Sequence, residues 1–165
     1  MLRLFRAEDA ARCCDLINAC LPQMDGMNED ARLLVLSKNV SQTLQTELTS
    51  CFTVVFDHQG LVTGIGALYG DEIKRVYVDP SRQRQGIGAA IVRRLEAEAV
   101  RRDLPAVRVQ SSPNAESFYR WLGYERLNDE VIASGAATFT VVNMARRLAG
   151  DGRKHTASSS SRRLA

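Results

Sequence analysis

Residues 76–90 constrain the fold of this chain strongly, because they join a predicted strand to a predicted helix through a glycine-containing turn. An apolar run ends at Pro80, and an amphipathic stretch begins beside Gly86 and Gly88. Glycines at the start of a helix leave backbone N–H groups uncovered at the positive end of the helix dipole. The junction therefore predicts a binding site for an anionic group such as a phosphate.

Patterns on either side of this junction predict a sheet with both antiparallel and parallel strands. Three β-rich runs precede it, at 51–56, 61–69 and 72–78, and turn residues separate them, which is typical of an antiparallel meander. After the glycines, apolar residues at helical spacing predict a helix over 87–102, and 107–110 is the next predicted strand. A strand, a helix and a strand in this order imply a parallel crossover.

The other segments complete an α/β fold. Asn28 is a good N-cap, and a long helix is predicted after it, with an apolar stripe that begins at Leu33, Leu36 and Val40. We expect a mixed, mostly antiparallel sheet of about seven strands with four flanking helices. The remaining predicted elements are a strand at 2–6, helices at 9–19, 28–48 and 112–122, and strands near 124–127 and 138–144.

The distribution of charge argues against a nucleic-acid partner. The chain has a formal net charge of +3, and residues 149–165 alone carry four basic residues and one acidic residue. Residues 1–148 are therefore neutral overall, whereas a nucleic-acid-binding domain carries a basic face within its fold. We expect a single domain at 1–148 and a basic, serine-rich, disordered tail at 149–165.

No apolar stretch approaches the ~20 residues that a membrane-spanning helix needs. The N-terminus mixes charged residues among its hydrophobic ones, unlike a secretory signal. The sequence therefore predicts a cytoplasmic protein without a membrane partner. The four cysteines, Cys13, Cys14, Cys20 and Cys51, lack the paired spacing and nearby histidines of a metal site, so we expect reduced structural thiols and no metal.

The glycines of this chain do not match two well-known phosphate-binding motifs, the dinucleotide-binding fingerprint and the Walker-type loop. A dinucleotide-binding fingerprint needs a small residue at the position of Ile91 and a tighter turn than residues 80–85 allow. Gly64 and Gly66 fail as well, because Tyr69 stands where a third glycine belongs. The chain has no Gly-Lys-Ser or Gly-Lys-Thr sequence, so ATP hydrolysis has no support.

Two segments together resemble the GNAT superfamily of acetyl-CoA-dependent N-acetyltransferases. Residues 83–88, Gln-Arg-Gln-Gly-Ile-Gly, match that family's pyrophosphate-binding pattern of Gln or Arg, two residues, Gly, one residue, and Gly or Ala. Residues 73–80 are similar to its fourth strand, and residues 114–124 to its late helix and following strand. Two motifs in the right order, about 25 residues apart, are more specific than either alone. One departure is Arg84, at a position often occupied by glycine in relatives.

The resemblance implies that acetyl-CoA is the cosubstrate and that strands 4 and 5 splay apart to admit it. Backbone N–H groups from Gln85 to Ala89 would bind the pyrophosphate, and the backbone at Val76 and Val78 would pair with the pantetheine arm. The N–H group of Val78 would polarise the acetyl carbonyl. The implied cofactor-binding residues are Val76, Tyr77, Val78, Gln83, Arg84, Gln85, Gly86, Ile87, Gly88, Ala89, Asn114 and Tyr119.

The resemblance also implies two catalytic residues. Glu72 lies where several members carry a general base that acts through water, and Tyr119 matches the tyrosine that donates to the departing sulfur. Each has a structural alternative, because a charged residue at the start of a strand is usually solvated and a tyrosine among aromatic residues can serve packing alone. Asp71 and Asp79 are alternative bases.

These implied roles predict direct transfer of an acetyl group to a primary amine within a ternary complex. The acceptor is expected to be a small-molecule or peptide amine, and the acidic residues Asp25, Glu29 and Asp30 favour a cationic one. The alternatives are a noncatalytic CoA-binding regulatory module and a nucleotide-binding domain. A homodimer is compatible with the sequence.

Overall fold

The computed structural model describes residues 1–148, so the predicted tail at 149–165 lies outside the described residues. Seven strands and five α-helices are present within that range. The strands are β1 (Leu2–Leu4), β2 (Phe52–His58), β3 (Leu61–Tyr69), β4 (Glu72–Val78), β5 (Ala106–Ser111), β6 (Glu125–Ser134) and β7 (Ala137–Arg147). The helices are α1 (Ala10–Cys20), α2 (Glu29–Lys38), α3 (Ser41–Thr49), α4 (Ile87–Arg101) and α5 (Glu116–Trp121).

The seven strands form one sheet in the order β1-β2-β3-β4-β5-β7-β6. β4 and β5 pair in parallel, and the other neighbouring strands pair antiparallel. α1 and α3 pack on one face of the sheet, and α4 packs on the other. Each face of the sheet has its own hydrophobic core beneath these helices. The predicted mixed α/β sheet is therefore confirmed.

The single long helix predicted at 28–48 is wrong, because the chain forms two helices there and the described helices number five rather than four. The first of them, α2, ends before Asn39, and Val40 is extended. Asn39 explains the break, since its buried amide donates to the Cys14 carbonyl and to the Asn18 side chain of α1. These bonds turn the chain towards α1 and end the helix.

The predicted apolar stripe divides at the same point. Leu44 and Leu48 of α3 are buried in the core beneath α1 and α3. In contrast, Leu33, Leu36 and Val40 are exposed, and α2 packs on β7 instead. None of the helices in the described part of the chain is long and apolar enough to cross a membrane.

The last two strands are longer than the predicted runs at 124–127 and 138–144. β6 pairs with β7 over its full length, and the two strands form a hairpin. Most of β6 is exposed on both faces, so it lacks the apolar alternation from which strands are predicted. The distal part of the hairpin extends past β5, where Met27 of the α1–α2 connection forms a bridge with Phe139.

Two glycines in β3 let α4 lie close to the sheet. A Cβ atom at Gly64 would lie 2.8 Å from side-chain atoms of Ile87 and Ile91, and one at Gly66 would lie 2.4 Å from Ile91. Both distances are shorter than a van der Waals contact between carbon atoms. Gly64 and Gly66 therefore serve helix packing rather than phosphate binding.

The parallel pair of β4 and β5 is short, and the two strands separate beyond it. Pairing is confined to Glu72 with Arg108 and to Ile73 with Val109. Residues 74–78 of β4 have no partner on β5, so a gap opens between the two strands. This gap confirms the predicted splay between strands 4 and 5.

A bulge in β4 lies where the gap begins. The register between β3 and β4 shifts there, and Arg75 adopts a φ of +54°, a left-handed conformation that is uncommon for a residue other than glycine. Its guanidinium donates hydrogen bonds of 2.8 and 2.6 Å to the Glu47 carboxylate of α3. This ion pair holds the bulged strand against α3, and the bulge redirects β4 away from β5.

The loop from β4 to α4 is anchored to α1 through Asp79. The Asp79 carboxylate accepts hydrogen bonds from the N–H group and the hydroxyl of Ser81, at 3.0 and 2.7 Å, and from the Arg12 guanidinium at 2.7 Å. Arg12 also donates to the Val62 carbonyl of β3. The hydrogen bonds from Ser81 and Arg12 lower the pKa of Asp79.

We predict that Gly66→Ala lowers the free energy of unfolding by about 2 kcal/mol, because the new methyl group would overlap Ile91 in a close-packed core. Urea unfolding measures this change. The double variant Gly66→Ala/Ile91→Ala should lose less than the sum of the two single variants, because truncation of Ile91 removes the overlapping atom. Strictly additive losses would show that α4 does not pack closely on Gly66.

We predict that Asp79→Asn lowers the free energy of unfolding by about 1 kcal/mol at pH 7, since it removes a partly exposed ion pair with Arg12. The pKa of Asp79 is lowered in the folded state, so its stabilisation is present above the unfolded pKa of about 3.9 and is lost as the pH falls through the folded pKa.

Urea unfolding of wild type and Asp79→Asn between pH 7 and pH 3 checks this pH dependence. The difference between them should shrink as the pH falls below about 4. The matched control is Asp15→Asn, an exposed carboxylate on the same helix as Arg12 that forms no ion pair within residues 1–148. A difference that stays constant with pH would contradict the role of Asp79.

Candidate active site

The N-terminus of α4 presents backbone N–H groups that no protein group occupies within the described residues. Gly86 precedes the helix with a φ of +82°, a conformation that glycine adopts readily, and no side chain caps the helix. The N–H group of Ala90 makes the first helical bond, to the Gly86 carbonyl at 3.0 Å, so Ile87, Gly88 and Ala89 have no helical acceptor. These groups, together with the helix dipole, can bind an anion.

Arg84 lies in the turn before α4, at the position where relatives of the family often have glycine. Its backbone conformation shows how an arginine fits there. Its φ is +63°, in the left-handed region that glycine adopts without strain. The turn therefore keeps the same backbone path with an arginine in place of glycine. The Arg84 side chain is exposed and adds a positive charge beside the free N–H groups.

A cleft of about 600 Å³ opens in front of these N–H groups, and we call it the outer cleft. The start of α4, the end of β4 and α5 form its walls. Nine of the twelve predicted cofactor-binding residues line it. The lining residues are Val76, Val78, Gln83, Arg84, Gly86, Ile87, Gly88, Ala89, Asn114, Ala115, Ser117, Phe118 and Trp121.

Gln83 and Asn114 hold the connection between α1 and α2 beside the outer cleft. The Gln83 amide donates to the Val78 carbonyl at 3.3 Å and to the Gln23 side chain at 3.2 Å. The Asn114 amide donates to the Gln23 carbonyl at 2.8 Å and accepts from the Asp25 N–H group at 3.2 Å. Both predicted cofactor ligands therefore also order the loops around the cleft.

A smaller cavity of about 210 Å³ occupies the gap between β4 and β5, and we call it the inner chamber. It shares Val76 and Ala115 with the outer cleft, so the two cavities adjoin at these residues. Both predicted catalytic residues, Glu72 and Tyr119, line the inner chamber. The lining residues are Met24, residues 72–77, residues 109–112, Ala115 and Tyr119.

Tyr119 is packed between aromatic rings at the wall of the inner chamber. It is 6% exposed, and its ring makes edge-to-face contacts with Phe118 and Tyr124 at centroid distances of 5.1 and 5.4 Å. No group within residues 1–148 hydrogen bonds to its hydroxyl, and the cavity is its open side. Burial raises the pKa of Tyr119, so its hydroxyl stays protonated and can donate.

Of the three candidate bases, Glu72 is the one that lines the inner chamber. It begins β4, and its carboxylate pairs with the Lys74 ammonium at 3.2 Å. The neighbouring Asp71 carboxylate is held outside the chamber by Arg108 through hydrogen bonds of 2.9 and 2.8 Å. Asp79 is engaged in anchoring the loop before α4.

The backbone of β4 faces the gap at Val78. The N–H group of Asp79 donates to the Thr63 carbonyl of β3 at 2.9 Å, and N–H groups alternate between the two sides of a strand. The N–H group of Val78 therefore points away from β3, into the gap. The Val78 carbonyl on that same side accepts from the Cys20 thiol at 3.3 Å, an interaction without a sequence signal.

Two other predicted cofactor-binding residues lie outside the outer cleft. The Tyr77 ring packs in the core beneath α1 and α3, on the opposite face from Val76 and Val78, and burial raises its pKa. Tyr77 lines the inner chamber instead. Gln85 is exposed in the turn before Gly86.

Several cavity residues were not among the predicted site residues. Trp121, the only tryptophan of the chain, is 71% exposed and lines the outer cleft. Its position in the motif at residues 114–124, two residues after Tyr119, is a usable signal, because the helix that carries it also contributes to the cleft. Met24 and Gln110 line the inner chamber and carry no such signal, because their positions depend on loop folding and strand register.

The fold is shared with solved structures that are described as acetyltransferases. The chain is similar to a GCN5-related N-acetyltransferase from Rhodopseudomonas palustris, with a TM-score of 0.83, 24% identity, and coverage of 90% of this chain and 95% of that one. It is also similar to PaiA N-acetyltransferase from Thermoplasma acidophilum in complex with coenzyme A, with a TM-score of 0.73, 13% identity, and coverage of 90% of this chain and 98% of that one. A third similar structure is YncA from Salmonella typhimurium with its cofactor acetyl-CoA, with a TM-score of 0.70, 19% identity, and coverage of 89% of this chain and 92% of that one.

The family assignment comes from the sequence. No curated protein matches the chain at a significant level. The family model described as an Acetyltransferase (GNAT) domain matches residues 25–148, which is most of the chain and includes both cavities apart from Met24. The protein therefore belongs to the GNAT family and is an acetyltransferase.

Proposed function

We propose that the protein transfers an acetyl group from acetyl-CoA to a primary amine by direct attack in a ternary complex. The observation that carries this proposal is the set of uncapped N–H groups at α4, in front of a cleft that leads to Glu72 and Tyr119. Acetyl-CoA carries a diphosphate near one end and a thioester at the other. The outer cleft and the inner chamber suit these two ends.

The residues of the outer cleft fit the diphosphate and the pantetheine arm. The free N–H groups after Gly86 are hydrogen-bond donors for phosphate oxygens, and Arg84 adds a positive charge. The backbone of Val76 and Val78, which has no partner on β5, can bond the pantetheine amides like an added strand. The coenzyme A and acetyl-CoA complexes of PaiA and YncA support this assignment.

Glu72 is assigned the role of general base. Only a neutral amine has the lone pair that attacks a carbonyl, and aliphatic amines are mostly protonated at pH 7. A carboxylate at the edge of the chamber can take the proton directly or through water. The ion pair with Lys74 fixes the Glu72 carboxylate at the start of β4.

Tyr119 is assigned the role of hydrogen-bond donor to the departing sulfur. Its raised pKa makes full proton transfer to a thiolate unfavourable, because the thiol of CoA is the stronger acid. A hydrogen bond to the thiolate stabilises the same charge without that cost. The proton that CoA finally takes therefore comes from solvent.

The reaction balances with these groups. The amine nitrogen attacks the acetyl carbon, the C–N bond forms, and the N–H group of Val78 stabilises the developing oxyanion. The amine proton passes to Glu72 or its water, the C–S bond breaks, and the electron pair leaves on the sulfur beside Tyr119. Neither an oxidant nor a reductant is required.

The acceptor is proposed to be a small-molecule or peptide amine. Asp25 follows Met24 of the inner chamber in the connection between α1 and α2, and Glu29 and Asp30 begin α2. These three acidic residues favour a cationic acceptor. The cytoplasmic location, the homodimer and the absence of nucleic-acid and membrane partners stay predictions.

A panel of amines, peptides and aminoglycosides assayed by thiol release from acetyl-CoA tests the proposal. We expect at least one primary amine to accelerate release and acetyl-CoA to raise the melting temperature. A noncatalytic module would show the thermal shift without release stimulated by any acceptor. No thermal shift would contradict the binding of acetyl-CoA.

We predict that Glu72→Gln lowers kcat about 100-fold at pH 7, because the general base is lost. Raising the pH should recover part of this loss, since a larger fraction of the acceptor is then neutral. Tyr119→Phe should lower kcat about 30-fold without this recovery, because it removes a hydrogen bond to a charged leaving group. Steady-state kinetics from pH 6 to pH 9 measure both effects.

The matched control is Asp71→Asn, which removes the adjacent carboxylate that Arg108 holds outside the chamber. Its kcat should stay within about twofold of wild type, since the residue lies outside both cavities. Wild-type turnover in Glu72→Gln together with a large loss in Asp71→Asn would assign the base to Asp71 instead.

A further inference from the structure

A chain of polar side chains runs from the inner chamber across the sheet. Gln110 of β5 donates from Nε2 to Oδ1 of Asn143 in β7 at 3.3 Å. Asn143 donates from Nδ2 to Oδ1 of Asn128 at 2.8 Å and to Oε2 of Glu130 at 2.9 Å, both in β6. We call these four residues the polar ladder. They lie on the face of the sheet opposite α4, as does Glu72.

Glu130 sets the orientation of the amides that connect it to the chamber. A carboxylate only accepts hydrogen bonds, whereas a carboxamide can be turned to present either its oxygen or its nitrogen. Because Glu130 accepts from Asn143, Asn143 must present its nitrogen to β6 and its oxygen to β5. Gln110 must then present its nitrogen to Asn143.

This orientation leaves the oxygen of Gln110 on the chamber side. β5 lies between β7 and β4, and the Gln110 nitrogen is bonded to Asn143 of β7, so Oε1 is the atom of this amide that is left without a partner beside the gap. Gln110 is exposed and lines the inner chamber, and no group within the described residues donates to Oε1. Gln110 therefore offers a free hydrogen-bond acceptor to the chamber that Glu72 and Tyr119 also line.

An attacking primary amine matches this arrangement. In its neutral form it has one lone pair for the acetyl carbon and two N–H groups. One proton must leave to the base, and the other N–H group can donate to a fixed oxygen while the nitrogen attacks. A secondary amine has a single N–H group, so it cannot serve the base and a second acceptor together.

We propose that Gln110 accepts a hydrogen bond from the second N–H group of the acceptor, and that Glu130, through Asn143, holds Gln110 in the orientation this requires. The proposal rests on the proposed function and adds a selection for primary over secondary amines. Gln110 touches the acceptor in this scheme, whereas Glu130 is a positioning residue.

The test compares the fastest primary amine of the thiol-release panel with its N-methyl derivative in four forms of the full chain: wild type, Gln110→Met, Glu130→Gln and Asn128→Ala. Gln110→Met keeps the length of the side chain without its oxygen, so the ratio of kcat/KM for the primary over the N-methyl amine should fall about tenfold. Glu130→Gln lets the amides turn, so the same ratio should fall about threefold. The KM for acetyl-CoA should not change, because Gln110 lies outside the outer cleft.

Asn128→Ala is the matched control, because it removes the other acceptor of Asn143, which lies on the same strand and face as Glu130. Glu130 still fixes the orientation of Asn143 in this variant. Its ratio should equal that of wild type. Equal losses for both amines in Gln110→Met, or a ratio that Glu130→Gln leaves unchanged, would overturn the proposal. Failure of wild type to bind acetyl-CoA in a thermal-shift assay would instead overturn the proposed function.

A measurement without any acceptor tests the ladder itself. In NMR spectra of wild type, one of the two side-chain NH₂ protons of Gln110 should have the chemical shift of a proton that is hydrogen-bonded to Asn143. In Glu130→Gln this resonance should broaden or split, because the amide gains a second orientation. An unchanged Gln110 signal in Glu130→Gln would show that the carboxylate does not set the orientation.

Discussion

The short parallel pairing of β4 and β5 is the constraint on which the rest of the site depends. Two residue pairs join the strands, and the bulge at Arg75 then turns β4 away from its neighbour. The hydrogen bonds from Arg75 to Glu47 hold this bulge against α3. Without the divergence the backbone of Val78 would be paired with β5, and neither the inner chamber nor a path for a thioester would exist.

The same divergence brings the N-terminus of α4 to the mouth of the gap. Gly64 and Gly66 let the helix approach the sheet, Asp79 ties the preceding loop to α1, and Gly86 ends the turn without a capping side chain. An uncapped helix start costs stability unless a ligand satisfies it. The fold thus leaves several backbone donors unsatisfied at one point, where we propose that the diphosphate of acetyl-CoA binds. Tyr119 and Glu72 line the chamber that adjoins this cleft.

Local patterns were sufficient to predict the centre of the fold but not its periphery. β3 and β4 have the predicted bounds, because their alternation and turn residues are unambiguous. The family motifs indicated nine of the thirteen residues that line the outer cleft. The break at Asn39 depends on hydrogen bonds to α1, and β6 is exposed on both faces, so neither has a periodic signal. The place of Gln110 in the chamber likewise follows from strand register, which a single sequence does not encode locally.

An NMR titration of the backbone amides with acetyl-CoA tests the central claim most directly, because it reports on the N–H groups themselves. We predict that the resonances of residues 85–89 shift downfield and become protected from exchange as the ligand saturates, as expected for donors to a diphosphate. Saturable binding of acetyl-CoA with these resonances unchanged would place the diphosphate elsewhere and contradict the site described for α4.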